Sequence, residues 1–237
     1  MKFMVMHRHD KNIEAGKRPS PEFIAAMGAL VGGAVKEGKL VDGDGLGASK
    51  TRARVTFKNG ERTVQHGPFE GESELPAGFV KVTVKSRDEA IAIATKVGQA
   101  IGCDVELEVG LLTEAWDLGF AEKSADAPER YLIVHKATAA TEAGRVPNLE
   151  RVVKELSDQG VLTASATLTP SSKGKRLIFR GDQRKIVDGP FIESKELIGG
   201  YAILELASWE ECLAFTTQYA ELMLTSASDF EGDIRPL

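Results

Sequence analysis

Hydrophobic and polar positions along the chain change period several times, and each change marks a predicted element. Phe3, Val5 and His7 alternate at period two and give a strand. A polar loop follows to Pro19. Ser20-Pro21 reads as a helix N-cap with proline in the first turn, where its missing N–H costs nothing. Phe23, Met27, Leu30, Val31, Ala34 and Val35 then recur at helical spacing as one apolar stripe, which Gly38 ends. Leu40-Val41 starts a short strand, and Asp42 to Gly47 is a glycine-rich exit. Two β-prone runs, Arg54 to Lys58 and Glu61 to Gln65, flank Asn59-Gly60, a strong hairpin signal. Val80, Val82 and Val84 alternate as a further strand. Ser86-Arg87-Asp88-Glu89 is a capping box opening a helix with Ile91, Ala94, Val97 and Ile101 on one face. Val105 to Leu112 closes the series as a strand.

The same series then repeats. Tyr131, Ile133 and His135 match Phe3, Val5 and His7 at an offset of 128. Leu149, Val152, Val153 and Leu156 form the second helix stripe, ended by Gly160. The hairpin recurs across Gly181-Asp182, followed by a strand over 201–206. Ser208-Trp209-Glu210-Glu211 is a second capping box, 122 residues beyond the first. Its helix carries Cys212, Phe215, Tyr219 and Leu222, and residues 233–237 form a closing strand. Each half therefore predicts β-α-β-(hairpin)-β-α-β, a ferredoxin-like α+β repeat. Repeat one spans 1–112, a linker 113–129, and repeat two 130–237. Trp116 and Phe120 are expected to anchor the linker. Strands such as Tyr201-Ala202-Ile203-Leu204 are apolar on both faces. That predicts that the two sheets face each other within one chain, as an intrachain pseudo-dimer in a dimeric α/β-barrel-like arrangement.

Composition narrows the function classes. The chain has 237 residues and a net charge of −5, with no global basic field to attract nucleic acid or anionic lipid. The apolar run at Phe3 to Met6 is short for a signal segment, and no stretch is long enough to cross a bilayer. A cytoplasmic soluble protein is expected. Cys103 and Cys212 lie far apart outside any CxxC and read as small buried hydrophobes. Asp42 and Asp44 lack the downstream glutamate of a calcium loop, so no metal and no cofactor is expected.

The repeats differ most at one loop. Repeat two carries Asp188-Gly189-Pro190-Phe191-Ile192-Glu193-Ser194-Lys195-Glu196-Leu197 before Gly199-Gly200-Tyr201. Repeat one keeps only His66-Gly67-Pro68-Phe69, Glu74-Leu75 and Gly78-Phe79. The repeat-two motif, with the strand Tyr131 to His135 and the ending Ile234-Arg235-Pro236-Leu237, resembles the DGPF branch of the YCII-related family. The resemblance covers nearly the whole chain and is more specific in repeat two. It implies the dimeric α/β-barrel fold, ordinarily made by two chains. It also implies kinship with enzymes that act on small ring compounds, such as by dehydrochlorination, through a His/Asp pair. Members of the DGPF branch also occur as partners of bacterial sigma-factor systems. The enzymatic branch carries a histidine on its first helix, and neither Phe23-Ile24-Ala25-Ala26 nor Leu149-Glu150-Arg151-Val152 has one.

Candidate chemistry follows from these residues. His135, near the end of its strand, is the expected acid/base, with Asp188 orienting it. The competing readings are a strand-end histidine satisfied by the backbone and an Asp that shapes its own turn. His7, His66, Glu193 and Lys195 are candidate ligand-binding residues; an exposed, mutually paired charge run is the alternative for the last two. No nucleophile with an activating partner is evident. The expected function is small-molecule binding, with proton-transfer or elimination chemistry in view. The alternative is a non-catalytic regulatory module. Further self-association is left open.

Overall fold

A computed structural model of the chain describes residues 1–69, 75–138, 141, 146–191 and 197–237. Its strands are β1 (Lys2–Arg8), β2 (Leu40–Gly45), β3 (Ala53–Lys58), β4 (Glu61–His66), β5 (Pro76–Val84), β6 (Val105–Leu111), β7 (Glu129–Lys136), β8 (Leu162–Thr167), β9 (Lys175–Arg180), β10 (Gln183–Asp188), β11 (Ile198–Glu205) and β12 (Asp229–Pro236). The α-helices are α1 (Lys11–Glu14), α2 (Pro21–Lys36), α3 (Arg87–Ile101), α4 (Pro147–Asp158) and α5 (Trp209–Met223). The fold is mixed α+β with two six-stranded sheets. Their orders are β10-β9-β12-β1-β11-β2 and β4-β3-β6-β7-β5-β8, with antiparallel pairing throughout.

These orders differ from sheets closed within each half. β1 and β2 from the first repeat join β9 to β12 from the second, and β7 and β8 join β3 to β6. The chain accordingly divides into two compact units that exchange strands between the repeats. Unit 1 comprises the described residues of 1–45 and 169–237, and unit 2 those of 46–168. β1 and β7 are central strands, each hydrogen-bonded on both sides by the other repeat. Repeated sequence permits this choice, since β1 presents the same alternation to β5 and β6 as to β11 and β12.

Local signals hold where the residues themselves supply the hydrogen bonds. Ser20, Ser86 and Ser208 each accept from the backbone N–H three residues on, at 3.1, 3.3 and 3.2 Å. Glu89 and Glu211 reach back to the N–H groups of Lys85 and Ala207, both at 2.9 Å. Asn59 and Gly60 turn the β3–β4 hairpin with φ of 52° and 81°, as a tight hairpin turn requires. Other expectations give way. The loop before Pro19 contains α1, capped by Asp10. The glycine-rich exit continues as strand through Gly45, because Asp42 to Gly45 pair with β11. The closing strand begins at Asp229 rather than 233. Cys212 is buried, and burial pushes its thiol up to about 12, but Cys103 is exposed. In the connection after β6, Trp116 is half-buried with the Lys123 ammonium 5.9 Å from its ring, whereas Phe120 is 63% exposed.

Each unit packs its helices on a separate core. In unit 1, Phe3, Val5, Leu177, Phe179, Leu204 and Ile234 pack with Cys212, Ala220 and Met223 of α5. In unit 2, Val80, Val82, Leu107, Tyr131 and Ile133 pack with α3 and α4. Each unit also buries a carboxylate at one equivalent place, one residue beyond the partner of the strand histidine. Asp233 accepts from Arg8 at 2.8 Å and from Arg176 at 2.6 and 3.0 Å. Glu108 accepts from Arg52 at 2.7 Å. Burial drives the Glu108 carboxyl upward, but Lys136, Arg52 and Arg54 outweigh it and hold it below the usual range.

The Gly-Pro-Phe turns serve these clusters. Gly67 and Gly189 lie so close to the Ser49 and Ser171 carbonyl groups that a Cβ would collide with the backbone. Ser49 and Ser171 accept from the N–H groups of Phe69 and Phe191 at 3.1 and 3.3 Å. The Phe69 ring then covers Arg54 at 4.4 Å, and the Phe191 ring covers Arg176 at 4.7 Å. Two outcomes are expected in urea unfolding. Gly189→Ala should lose about 1–3 kcal/mol by overpacking, while Gly181→Ala should lose less, because a Cβ there meets open space and only the backbone is strained. Asp233→Ala should lose about 3 kcal/mol, because it removes the nearest carboxylate of two buried arginines and leaves them to Glu231, at 3.6 and 3.4 Å.

Candidate functional site

The strand histidines are seated by glycines of the other repeat. His7 pairs with Gly200 and His135 with Gly78. A Cβ at Gly200 would strike the His7 ring, and one at Gly78 would strike His135 Nε2. The absent side chains are therefore the space the imidazoles occupy. The signal was present in the sequence as Gly78-Phe79 and Gly200-Tyr201, each recurring opposite a recurring histidine. It could not be read without knowing which strands pair.

The two imidazoles then diverge. His7 Nδ1 lies 2.9 Å from Tyr219 Oη, in a hydrogen bond whose direction follows the tautomer. The Tyr219 ring packs against Phe230 with centroids 5.9 Å apart. Burial pushes the Tyr219 phenol above its usual range, so Oη keeps its proton. The residue 122 positions before Tyr219 is Val97, which is buried and has no polar group to offer. His135 is 2% exposed, and among the described residues its Nδ1 makes no well-formed hydrogen bond. Burial lowers its pKa to about 4, with the Lys136 backbone offsetting part of the effect. Its ring is therefore neutral near neutral pH, with one nitrogen donating and the other accepting.

His135 lines a cavity of about 590 Å³ within unit 2. Val80, Val146, Leu149, Val153, Leu162 and Ala166 give it apolar walls, and Glu150, Lys154, Ser157, Ser165 and Thr167 its polar positions. α4 supplies much of one side, because its stripe turns Leu149 and Val153 inward, and β8 lies along another. Lys154 at the edge is paired with Asp158 at 2.6 Å. A mostly apolar cleft with a few polar groups is the usual form of a small-molecule site.

Asp188, His7 and His66 are not among the residues that line this cavity. Asp188 belongs to unit 1, at the end of β10, 2.5 Å from the Lys175 ammonium and with its side chain 79% exposed. His135 belongs to unit 2, so the expected pair is divided between the compact units. Within unit 2 the turn equivalent to Asp188 is His66, exposed at the end of β4 and opposite Ala53. Glu193 and Lys195 lie outside the described residues. Asp42 and Asp44 face Tyr201, whose Oη donates to Asp42 at 2.7 Å and lies 3.4 Å from Asp44. Among the described residues, no three His, Cys, Asp or Glu side chains gather so as to hold a metal ion. No helix there is long and apolar enough to cross a membrane.

An α+β chain of two tandem copies, each seating a buried strand histidine, defines a duplicated small-domain protein. The YCII-related domain matches it twice, at residues 1–101 and 130–221, and the chain belongs to that family. It is 30% identical over 95 residues to an uncharacterized protein of Rhizobium meliloti (strain 1021), a match covering 37% of this chain and 74% of that protein. No solved structure matches the chain.

The buried imidazole makes stability depend on pH. Its folded value of about 4 lies below the unfolded value near 6.5, so the unfolded chain binds the proton first on acidification. The contribution is complete above the unfolded value and is lost as pH falls through the folded one. Urea unfolding between pH 7 and pH 4 should lose roughly 3 kcal/mol through this group. His135→Asn should flatten that part of the profile.

Proposed function

We propose that unit 2 is a binding site for a small, largely apolar molecule carrying one hydrogen-bonding group, which meets His135 at Nδ1. The observation that carries this reading is the Nδ1 of a buried imidazole on the wall of a cavity, which makes no well-formed hydrogen bond among the described residues. A buried polar atom without a partner is costly, at about 1–3 kcal/mol, and a ligand group or water that satisfies it recovers that cost. The first repeat supports the reading by contrast, since Tyr219 already supplies the hydroxyl that His7 needs.

Binding fits this imidazole better than general-base catalysis. A base with a pKa of about 4 is weak near neutral pH, and proton transfer works best when the pKa lies close to the working pH. Elimination chemistry at His135 would need a ligand that raises its pKa, such as an anion bound beside it. Asp188 is not required here, since Lys175 already pairs with it. The turn that begins at Asp188 supports placing the chain in the DGPF branch of its family.

The test is a fragment screen of small uncharged hydroxylated compounds, read by NMR of the ¹⁵N-labelled imidazoles. Binders should shift the His135 Nδ1 resonance and leave that of His7 in place. His135→Phe keeps a ring but removes the nitrogen, and should weaken binding roughly tenfold, the worth of one hydrogen bond. Asp188→Asn should bind as well as the unaltered protein. Fragments that bind His135→Phe equally well, or none that move the His135 resonance, would refute the reading.

A further inference from the structure

β8 stands at the end of its sheet, and among the described residues only β5 pairs with it. The outer strands β2, β4 and β10 carry charge: Asp42 and Asp44, Glu61 and Arg62, Arg184 and Lys185. Charge on an edge strand keeps further strands from adding to it. β8 has none from Leu162 to Thr167, and Thr163, Ser165 and Thr167 are exposed. It is also the edge that borders the cavity, through Ser165, Ala166 and Thr167. On the wall of that cavity the buried His135 Nδ1 makes no well-formed hydrogen bond among the described residues.

Backbone pairing fixes which groups of β8 turn outward. The Leu168 N–H donates to the Ala77 carbonyl at 2.8 Å. Hydrogen-bonded and non-bonded pairs alternate along an antiparallel ladder. Thr167 and Ser165, opposite Gly78 and Val80, therefore direct their N–H and C=O groups away from β5. Thr167 also shares a row with the imidazole. His135 lies opposite Gly78, and Gly78 opposite Thr167, so all three face one side of the sheet. The glycine in the middle has no side chain, and the His135 ring occupies that space. A residue of an added strand opposite Thr167 continues the row. Its backbone exchanges a pair of hydrogen bonds with Thr167, and its side chain points over the sheet face that holds His135.

Building on the binding role given to this cavity, on which the inference rests, we propose that β8 accepts an extended peptide as a further antiparallel strand. A tyrosine of that peptide lies opposite Thr167, and its hydroxyl meets His135. Antiparallel pairing is that of every neighbouring pair in this sheet. Only a long side chain crosses Thr167 to the imidazole, and the walls from Val146, Leu149 and Ala166 are apolar, as an aromatic ring requires. Unit 1 already contains the contact, since Tyr219 Oη lies 2.9 Å from His7 Nδ1. In strand addition the backbone bonds give affinity and the side-chain pocket gives selection.

The test titrates the blocked peptide acetyl-Thr-Thr-Tyr-Thr-Thr-amide into the full ¹⁵N-labelled chain. The His135 imidazole and the Thr167 amide should shift together. The phenylalanine counterpart should bind roughly tenfold more weakly, the worth of one hydrogen bond. N-methylation of the tyrosine, whose N–H faces β8, should cost at least as much. N-methylation of the threonine after it, whose N–H faces away, should cost little. Thr167→Pro removes an outward N–H and leaves the ladder to β5 intact, so it should weaken the peptide by a similar factor with far-ultraviolet circular dichroism unchanged. Equal binding of the two N-methyl peptides overturns the proposal. So does a peptide that fails to bind while uncharged fragments still move His135, a result that leaves the small-molecule site standing. If neither fragment nor peptide moves His135, both fall. A dimer of the chain that protects the Thr167 amide without peptide overturns it in favour of a second copy.

Discussion

The structure depends on a pairing that crosses the repeats. β1 lies between β11 and β12, and β7 between β5 and β6. A central strand must satisfy backbone hydrogen bonds on both edges, and here both edges come from the other half of the chain. Everything at the candidate site follows from this. Gly78 makes room for His135, and Gly200 for His7, only because those residues stand opposite one another across the exchanged pairings.

The exchange also fixes the buried charges. Arg8 reaches Asp233, and Lys136 influences Glu108, because each cation sits on a strand from the opposite repeat. The Gly-Pro-Phe turns close over the arginines that share these carboxylates. They look like active-site motifs in the sequence because they combine glycine, proline and an aromatic residue beside charge. Their contacts are structural: a close backbone approach, a serine acceptor and a ring over a guanidinium. Asp188 begins such a turn and spends its charge on Lys175.

Duplication left two halves of similar pattern that have since diverged, and two of the differences separate their roles. Tyr219 against Val97 decides whether a strand histidine is satisfied from within. The charged face of α4 against the bare face of α2 distinguishes the helices. The first change lies within the packed interior, where Val97 is fully buried, and the second lies on a helix surface. The shared architecture is therefore compatible with different roles for the two units.

Much of the fold was legible locally. The capping boxes, the Asn59-Gly60 turn and the alternating strands carry their own hydrogen bonds or their own periodicity, so the sequence determines them without reference to distant parts. It also determines the tandem repeat and membership of the family. The covered stripe of α2 is narrower than its periodicity, because periodicity marks apolar residues and does not say whether a neighbour covers them. Asp42 to Gly45 read as loop because glycine has little strand propensity, yet pairing with β11 supplies what the residues lack. Only the tertiary structure decided which repeat pairs with which, and so which histidine meets which glycine and that His135 and Asp188 belong to different units. The physical reason is degeneracy. When two halves carry the same pattern, each strand fits two partners equally well at the level of sequence, and the choice rests on long-range packing.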